Sequence, residues 1–261
     1  HICEECETLW RATLRPDEED KGLEALKLYK DARVLLSEML EGESFDGKAA
    51  VRFFRTEKRC DDLVLREEDG GNTVLPMLRQ QKAGSDYLCL TDFVAEEDYV
   101  GAFVVTAGHY LSDGSKRLKE AGDSYGALLR QSLADRLAEA SSEWWHSEIR
   151  RKFWGYERGD AKEVADLLRG DYRGIRPAIG YPMIPDQLLN RELSSKLPME
   201  EMGVIVTENG AMYPSATVSG LYLASPEARY FVVGEIDDDQ LEDYSSRRGI
   251  EKERIKELLR N

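Results

Sequence analysis

The stretch 100–107, Val-Gly-Ala-Phe-Val-Val-Thr-Ala, is apolar at almost every position. It is far shorter than the about 20 residues a helix needs to cross a bilayer. Unbroken apolar character over the length of a strand means that both of its faces are covered. The chain must therefore build a sheet around one central strand at 99–106, with further layers packed against it. The other signals supply them. Residues 22–41 carry Ala25, Leu28, Tyr29, Ala32, Leu35, Leu36 and Met39 at three- and four-residue steps, which predicts an amphipathic helix. A longer helix is expected over 123–153, with Leu129, Leu133, Leu137, Ala140 and Trp144 as its apolar stripe.

Strands are predicted at 49–55 and 62–66 around a charged turn, and at 87–93, 204–207, 219–223 and 230–236. The C-terminus reads as helices over 239–244 and 251–260, split at Gly249. This irregular mixture predicts an α+β domain rather than a doubly wound sheet. No GxGxxG or P-loop spacing supports a Rossmann or Walker nucleotide site.

Charge narrows the partners. The chain of 261 residues has 51 acids against 36 Lys and Arg, a net −15. Such a surface repels nucleic acid and anionic lipid, so no nucleic-acid or membrane role is expected. Four cysteines (Cys3, Cys6, Cys60 and Cys89) make no disulfide framework, and no signal peptide is visible; a cytoplasmic setting is expected. Cys3 and Cys6 have the spacing of half a zinc knuckle, but no second pair exists and no metal site is expected. Cys60 and Cys89 read as small strand hydrophobes. The chain begins at His1 and is read as part of something longer.

Two places could carry chemistry. Asp135 and Glu139 lie four apart and share a helix face, which Ser142 and His146 continue. Their face is either solvated or meant for a partner's hydrogen donors, and His146 is read as a helix-surface residue. The segment Arg176-Pro177-Ala178-Ile179-Gly180-Tyr181-Pro182 falls in a stretch, 174–186, that holds three of the eight prolines and reads as an ordered loop. Its arginine can take a ligand carboxylate bidentately. Gly180 permits close backbone approach, and Tyr181 offers an aromatic face. A structural loop with a surface salt bridge is the alternative. No nucleophile elbow surrounds any serine, so a histidine-dependent hydrolase has little to rest on.

That loop, with Tyr172-Arg173-Gly174-Ile175 before it, closely resembles the signature of the C-terminal activation domain of cobalamin-dependent methionine synthase. Further blocks match in order: Thr91-Asp92-Phe93-Val94-Ala95, Asp98-Tyr99-Val100-Gly101-Ala102-Phe103, Leu133-Ala134-Asp135-Arg136-Leu137-Ala138-Glu139-Ala140, and Phe153-Trp154-Gly155-Tyr156. Ala211-Met212-Tyr213-Pro214, Val218-Ser219-Gly220-Leu221-Tyr222 and Tyr230-Phe231 continue the series.

The resemblance implies one C-shaped α+β domain over residues 1–261. It would have a twisted antiparallel sheet, flanking helices and a non-Rossmann site for S-adenosylmethionine. It implies reductive methylation of cob(II)alamin to methylcobalamin within a methyltransferase, in methionine biosynthesis. The cobalamin would be held by a partner domain, and flavodoxin or a flavoprotein reductase would supply the electron. By position, Arg176, Ala178, Gly180, Tyr181, Tyr230 and Phe231 would bind S-adenosylmethionine. Asp135 and Glu139 would face the cobalamin domain. Arg150, Arg151 and Lys152 form a candidate basic patch for the electron donor. Gln187 and Gly170 depart from the family pattern, and an upstream aspartate segment is expected to be missing from the N-terminal side. A non-catalytic module that docks on a corrinoid protein without S-adenosylmethionine is the alternative.

Overall fold

The computed structural model describes residues 19–42, 44–159 and 162–259, so Cys3 and Cys6 lie outside the described residues. The described residues form two compact units, the first within His1–Asp46 and His109–Ala134, the second within Gly47–Gly108 and Asp135–Asn261.

In the first unit, helix α1 (Glu19–Glu41) buries Leu35 and Met39 of the predicted stripe. Helix α2 (His109–Glu120) has no counterpart in the sequence reading. Its buried face is Leu111, Ser112 and Gly114, small residues that give little hydrophobic signal. Asp46 starts it, accepting hydrogen bonds from the backbone N–H groups of His109 and Tyr110 at 2.8 and 3.2 Å. Helix α3 (Ser124–Glu148) follows and runs on into the second unit. Asp123 satisfies its first turn by accepting from Gly126 N–H at 2.8 Å.

The second unit is built on an antiparallel five-stranded sheet of order β3-β2-β1-β4-β7. Its strands are β1 (Lys48–Arg59), β2 (Asp62–Arg66), β3 (Asn72–Pro76), β4 (Glu97–Thr106) and β7 (Thr217–Tyr222). A small hairpin, β5 (Ile205–Val206) with β6 (Met212–Tyr213), stands apart from it. The apolar run becomes β4, paired to β1 on one side and β7 on the other. Alternation sorts its side chains. Val100, Ala102 and Val104 join Phe54, Leu63, Leu65 and Leu221 in the main core. On the opposite face Phe103 stacks on Tyr222, with ring centroids 4.5 Å apart.

The second half of α3 covers that opposite face, and here two expectations fail. The residues it buries are Ala138, Ser142, His146 and Ser147; of the predicted stripe only Leu133 is buried, and Trp144 is 61% exposed. His146 is fully buried, stacked on Tyr222 at 5.0 Å and 10°. Small residues let the helix lie close to the sheet, so size rather than hydrophobicity marks the packed face. After Glu148 the helix widens into a π-turn, Ile149–Phe153.

The proline-rich loop is ordered because it runs beside β7. Ile175 exchanges both backbone hydrogen bonds with Leu223, at 3.0 and 3.1 Å. Leu221 N–H donates to Pro177 O at 3.0 Å, and Ile179 N–H to Ser219 O at 2.9 Å. Gly220 makes this approach possible: a Cβ there would sit 2.2 Å from Pro177 O and 2.9 Å from the Ala178 Cα. Gly220→Ala should therefore cost about 1–3 kcal/mol through overpacking. Thermal melts check this, and an unchanged midpoint would contradict the contact.

Three strand assignments change. Residues 87–93 do not form a strand: Leu90–Phe93 is a 3-10 turn. Asp92 bends it by accepting from Cys89 N–H at 2.8 Å, while Arg79 grips Asp92 through both terminal nitrogens at 2.7 and 2.9 Å. Residues 230–236 stay irregular, held by single bonds such as Val233 N–H to Pro182 O at 2.9 Å rather than by a ladder. Cys60 is not a strand hydrophobe but an exposed turn residue at φ 51°, whereas Cys89 is buried. Helices α4 (Val164–Arg169) and α5 (Leu189–Ser194) are short. The C-terminal pair, α6 (Asp238–Arg248) and α7 (Lys252–Leu258), splits at left-handed Gly249 as expected. No helix among the described residues is long and apolar enough to cross a membrane.

Candidate functional site

The loop beside β7 and the inner face of α3 meet around a groove of about 410 Å³. Its lining includes Glu139, Arg176, Ala178, Tyr181, Tyr230 and Phe231. Five of the six residues expected to bind a ligand thus come together with one of the two acids. Gly180 lies in the adjoining turn at φ 86°, its N–H donating to Ile184 O at 2.8 Å. Asp135 sits one helical turn before Glu139 and is not among the lining residues. Met183, Val218 and Val232 add an apolar surface that the sequence reading did not include. The volume suits a small-molecule ligand, and the mix of apolar walls with few polar groups is typical of such sites.

Each polar wall residue is tied down. Tyr181 Oη donates to Glu139 Oε1 at 2.9 Å. Arg176 Nη2 donates to Glu143 Oε2 at 3.1 Å, and its backbone N–H donates to Tyr230 Oη at 2.9 Å. The Arg176 side chain is only 12% exposed. Burial works against its charge, but the Tyr230 phenol and the Glu143 carboxylate outweigh that and raise its pKa. Its Nε is buried without a hydrogen-bond partner among the described residues. Such a donor is costly to leave unmet, and a ligand acceptor would satisfy it.

Behind the groove lies a buried charged cluster. Arg150 is fully buried, donating through Nε to Glu157 Oε2 at 2.8 Å, with its guanidinium 3.9 Å from the Tyr172 ring centroid. The expected basic patch is therefore absent as a surface. Arg150 faces inward, and Lys152, the most exposed of the three, pairs with Glu148 at 2.5 Å. The sequence marked Arg150 only as part of that patch and did not mark Glu143, which continues the helical spacing of Asp135 and Glu139 by one more turn.

His146 belongs to the same cluster. Burial, then the positive charges of Arg150 and Arg176, hold its pKa well below 6.5. The imidazole is neutral in the folded chain, while the unfolded chain binds a proton near pH 6.5. Between the two pKa values the unfolded state carries more protons, so stability falls as pH drops below about 6.5. The slope is at most about 1.4 kcal/mol per pH unit. His146→Phe should remove that contribution, which urea unfolding at pH 7, 6 and 5 would reveal as a flatter profile. Parallel profiles for the two proteins would contradict it.

A larger concavity of about 580 Å³ lies over β1, β2 and β4. Its two arginines are already taken, Arg55 by Glu97 and Arg66 by Glu57. None of the expected binding residues lines it. Among the described residues no group of three or more side chains could hold a metal ion.

Two comparisons bear on the groove. The family described as vitamin B12 dependent methionine synthase, activation domain, matches residues 9–249. The fold is similar to a crystal structure of the MetH reactivation domain bound to AdoHcy, with a TM-score of 0.83 and 31% sequence identity. That similarity covers 97% of this chain and 82% of the other.

Proposed function

The chain belongs to the activation domain family of vitamin B12 dependent methionine synthase, and on that footing we propose that it binds S-adenosylmethionine in this groove to reactivate oxidised cobalamin. The observation that carries the reading is the meeting of Arg176, Tyr181, Tyr230 and Phe231 around one groove of ligand size. Its chemistry suits the ligand. S-adenosylmethionine has a carboxylate, an adenine ring and a sulfonium. The buried Arg176 Nε is a donor for a carboxylate. Tyr181 and Tyr230 offer faces for a heterocycle or a cation, and Met183, Val218 and Val232 add apolar wall.

When bound, S-adenosylmethionine supplies an activated methyl group; the chain's own residues bind and orient it. Asp135 and Glu139 present carboxylates on one face of α3, suited to hydrogen donors of a cobalamin-binding partner domain. Glu139 also holds Tyr181, which couples that face to the groove. A flavodoxin or flavoprotein reductase in the cytoplasm would supply the electron.

The test combines the chain with a cobalamin domain carrying cob(II)alamin, a reduced flavin donor and methyl-labelled S-adenosylmethionine. Label on the cobalamin is the expected result. Binding of the cobalamin domain without any transfer of label would instead favour a docking module that does not use S-adenosylmethionine.

A further inference from the structure

We propose that Glu143 is a positioning residue that holds the Arg176 guanidinium ready for a ligand carboxylate, and that Arg150 in turn holds Glu143. The inference rests on the reading of the groove as the S-adenosylmethionine site. Arginine is long and rotamer-rich, and immobilising it on binding costs affinity. In this chain the cost is met before any ligand arrives. The Arg176 backbone is fixed to Tyr230 Oη, and its guanidinium to Glu143 Oε2.

Glu143 is itself anchored from behind. Its Oε1 lies 3.8 Å from Arg150 Nη1, and Tyr172 Oη donates to its Oε2 at 3.5 Å. Arg150 cannot swing away, being fully buried, bonded to Glu157 and packed on the Tyr172 ring. Two guanidiniums thus meet two carboxylates, and His146 beside them is neutral, so the cluster is balanced without a ligand. Arg176 commits Nη2 to Glu143 and keeps Nε for another acceptor. Glu139 and Glu143 are four residues apart on α3, so they share a face. One holds Tyr181 and the other Arg176. A single helix face therefore fixes two side chains of the binding loop.

Calorimetric titration with two probes tests this: S-adenosylhomocysteine, and 5′-methylthioadenosine, which lacks the amino-acid carboxylate. Glu143→Ala should weaken S-adenosylhomocysteine by about tenfold and leave 5′-methylthioadenosine unchanged. Glu143→Gln keeps an acceptor oxygen and should recover part of the loss. Should the alanine variant not fold, the glutamine variant alone is expected to show the same selective, smaller loss. Equal loss of both probes, or loss of neither, overturns the positioning role and leaves the groove assignment standing. Failure of the wild-type chain to bind either probe overturns the groove assignment, and the positioning role with it.

Discussion

Arg176→Ala should weaken S-adenosylmethionine binding roughly 10- to 100-fold. Hydrogen bonds to charged groups contribute about 1.5–3 kcal/mol each, and each 1.4 kcal/mol is about tenfold in affinity. Among the described residues Arg176 is the only arginine on the groove's lining, so no neighbour there can replace its fork. The substitution also strands Glu143, whose Oε1 already lacks a hydrogen bond among the described residues. A modest loss of stability is therefore expected alongside the loss of affinity. Arg176→Lys separates the two effects: it keeps the charge beside Glu143 but loses the planar fork, so stability should recover more than affinity. Calorimetric titration with a parallel thermal melt measures both. Unchanged affinity in a folded Arg176→Ala variant would remove Arg176 from the binding site.

The largest loss of stability is expected at Asp186. It is 1% exposed and accepts from Tyr244 Oη at 2.8 Å and from Leu188 N–H at 2.9 Å. Arg248 Nε lies 2.9 Å from the same carboxylate, and Arg248 is in turn bonded to Glu192 at 2.5 Å. This ties the end of the binding loop to α5 and α6. Asp186→Ala leaves the Arg248 charge buried with one partner fewer, and breaking such a buried pair costs about 3–5 kcal/mol. For a chain of this size that lowers the melting midpoint by on the order of 10 °C. A fall of under about 1 kcal/mol in urea unfolding would show that Glu192 alone balances Arg248.

Much of this architecture was legible where one local signal decides the outcome. The apolar run had to become a doubly covered strand, and β4 is that strand. Gly249 had to break the C-terminal helices, and does so in the left-handed conformation. The motif blocks marked the loop, and the structure gathers Arg176, Ala178, Tyr181, Tyr230 and Phe231 at one groove.

The failures have a common physical origin in contacts distant in sequence. His146 looked like a surface residue because the helix around it is polar. It is buried because Ala138 and Ser142 let the helix settle onto Tyr222. Arg150 looked like part of a basic patch, and is neutralised inside by Glu157. Residues 87–93 have strand composition, but Arg79 and Asp92 impose a turn. Residues 230–236 have strand composition too, but the backbone of Val233 bonds singly to Pro182 O of the loop, with no ladder. Pattern reading sees propensity and period; it does not see which distant carboxylate will meet an arginine.

A crystal structure of the chain with S-adenosylhomocysteine tests the central claim most directly. The account predicts the ligand in the 410 Å³ groove, its carboxylate on Arg176 and its rings or sulfur against Tyr181 and Tyr230. A ligand bound elsewhere, such as over β1 and β2 beside Arg55 and Arg66, would contradict it.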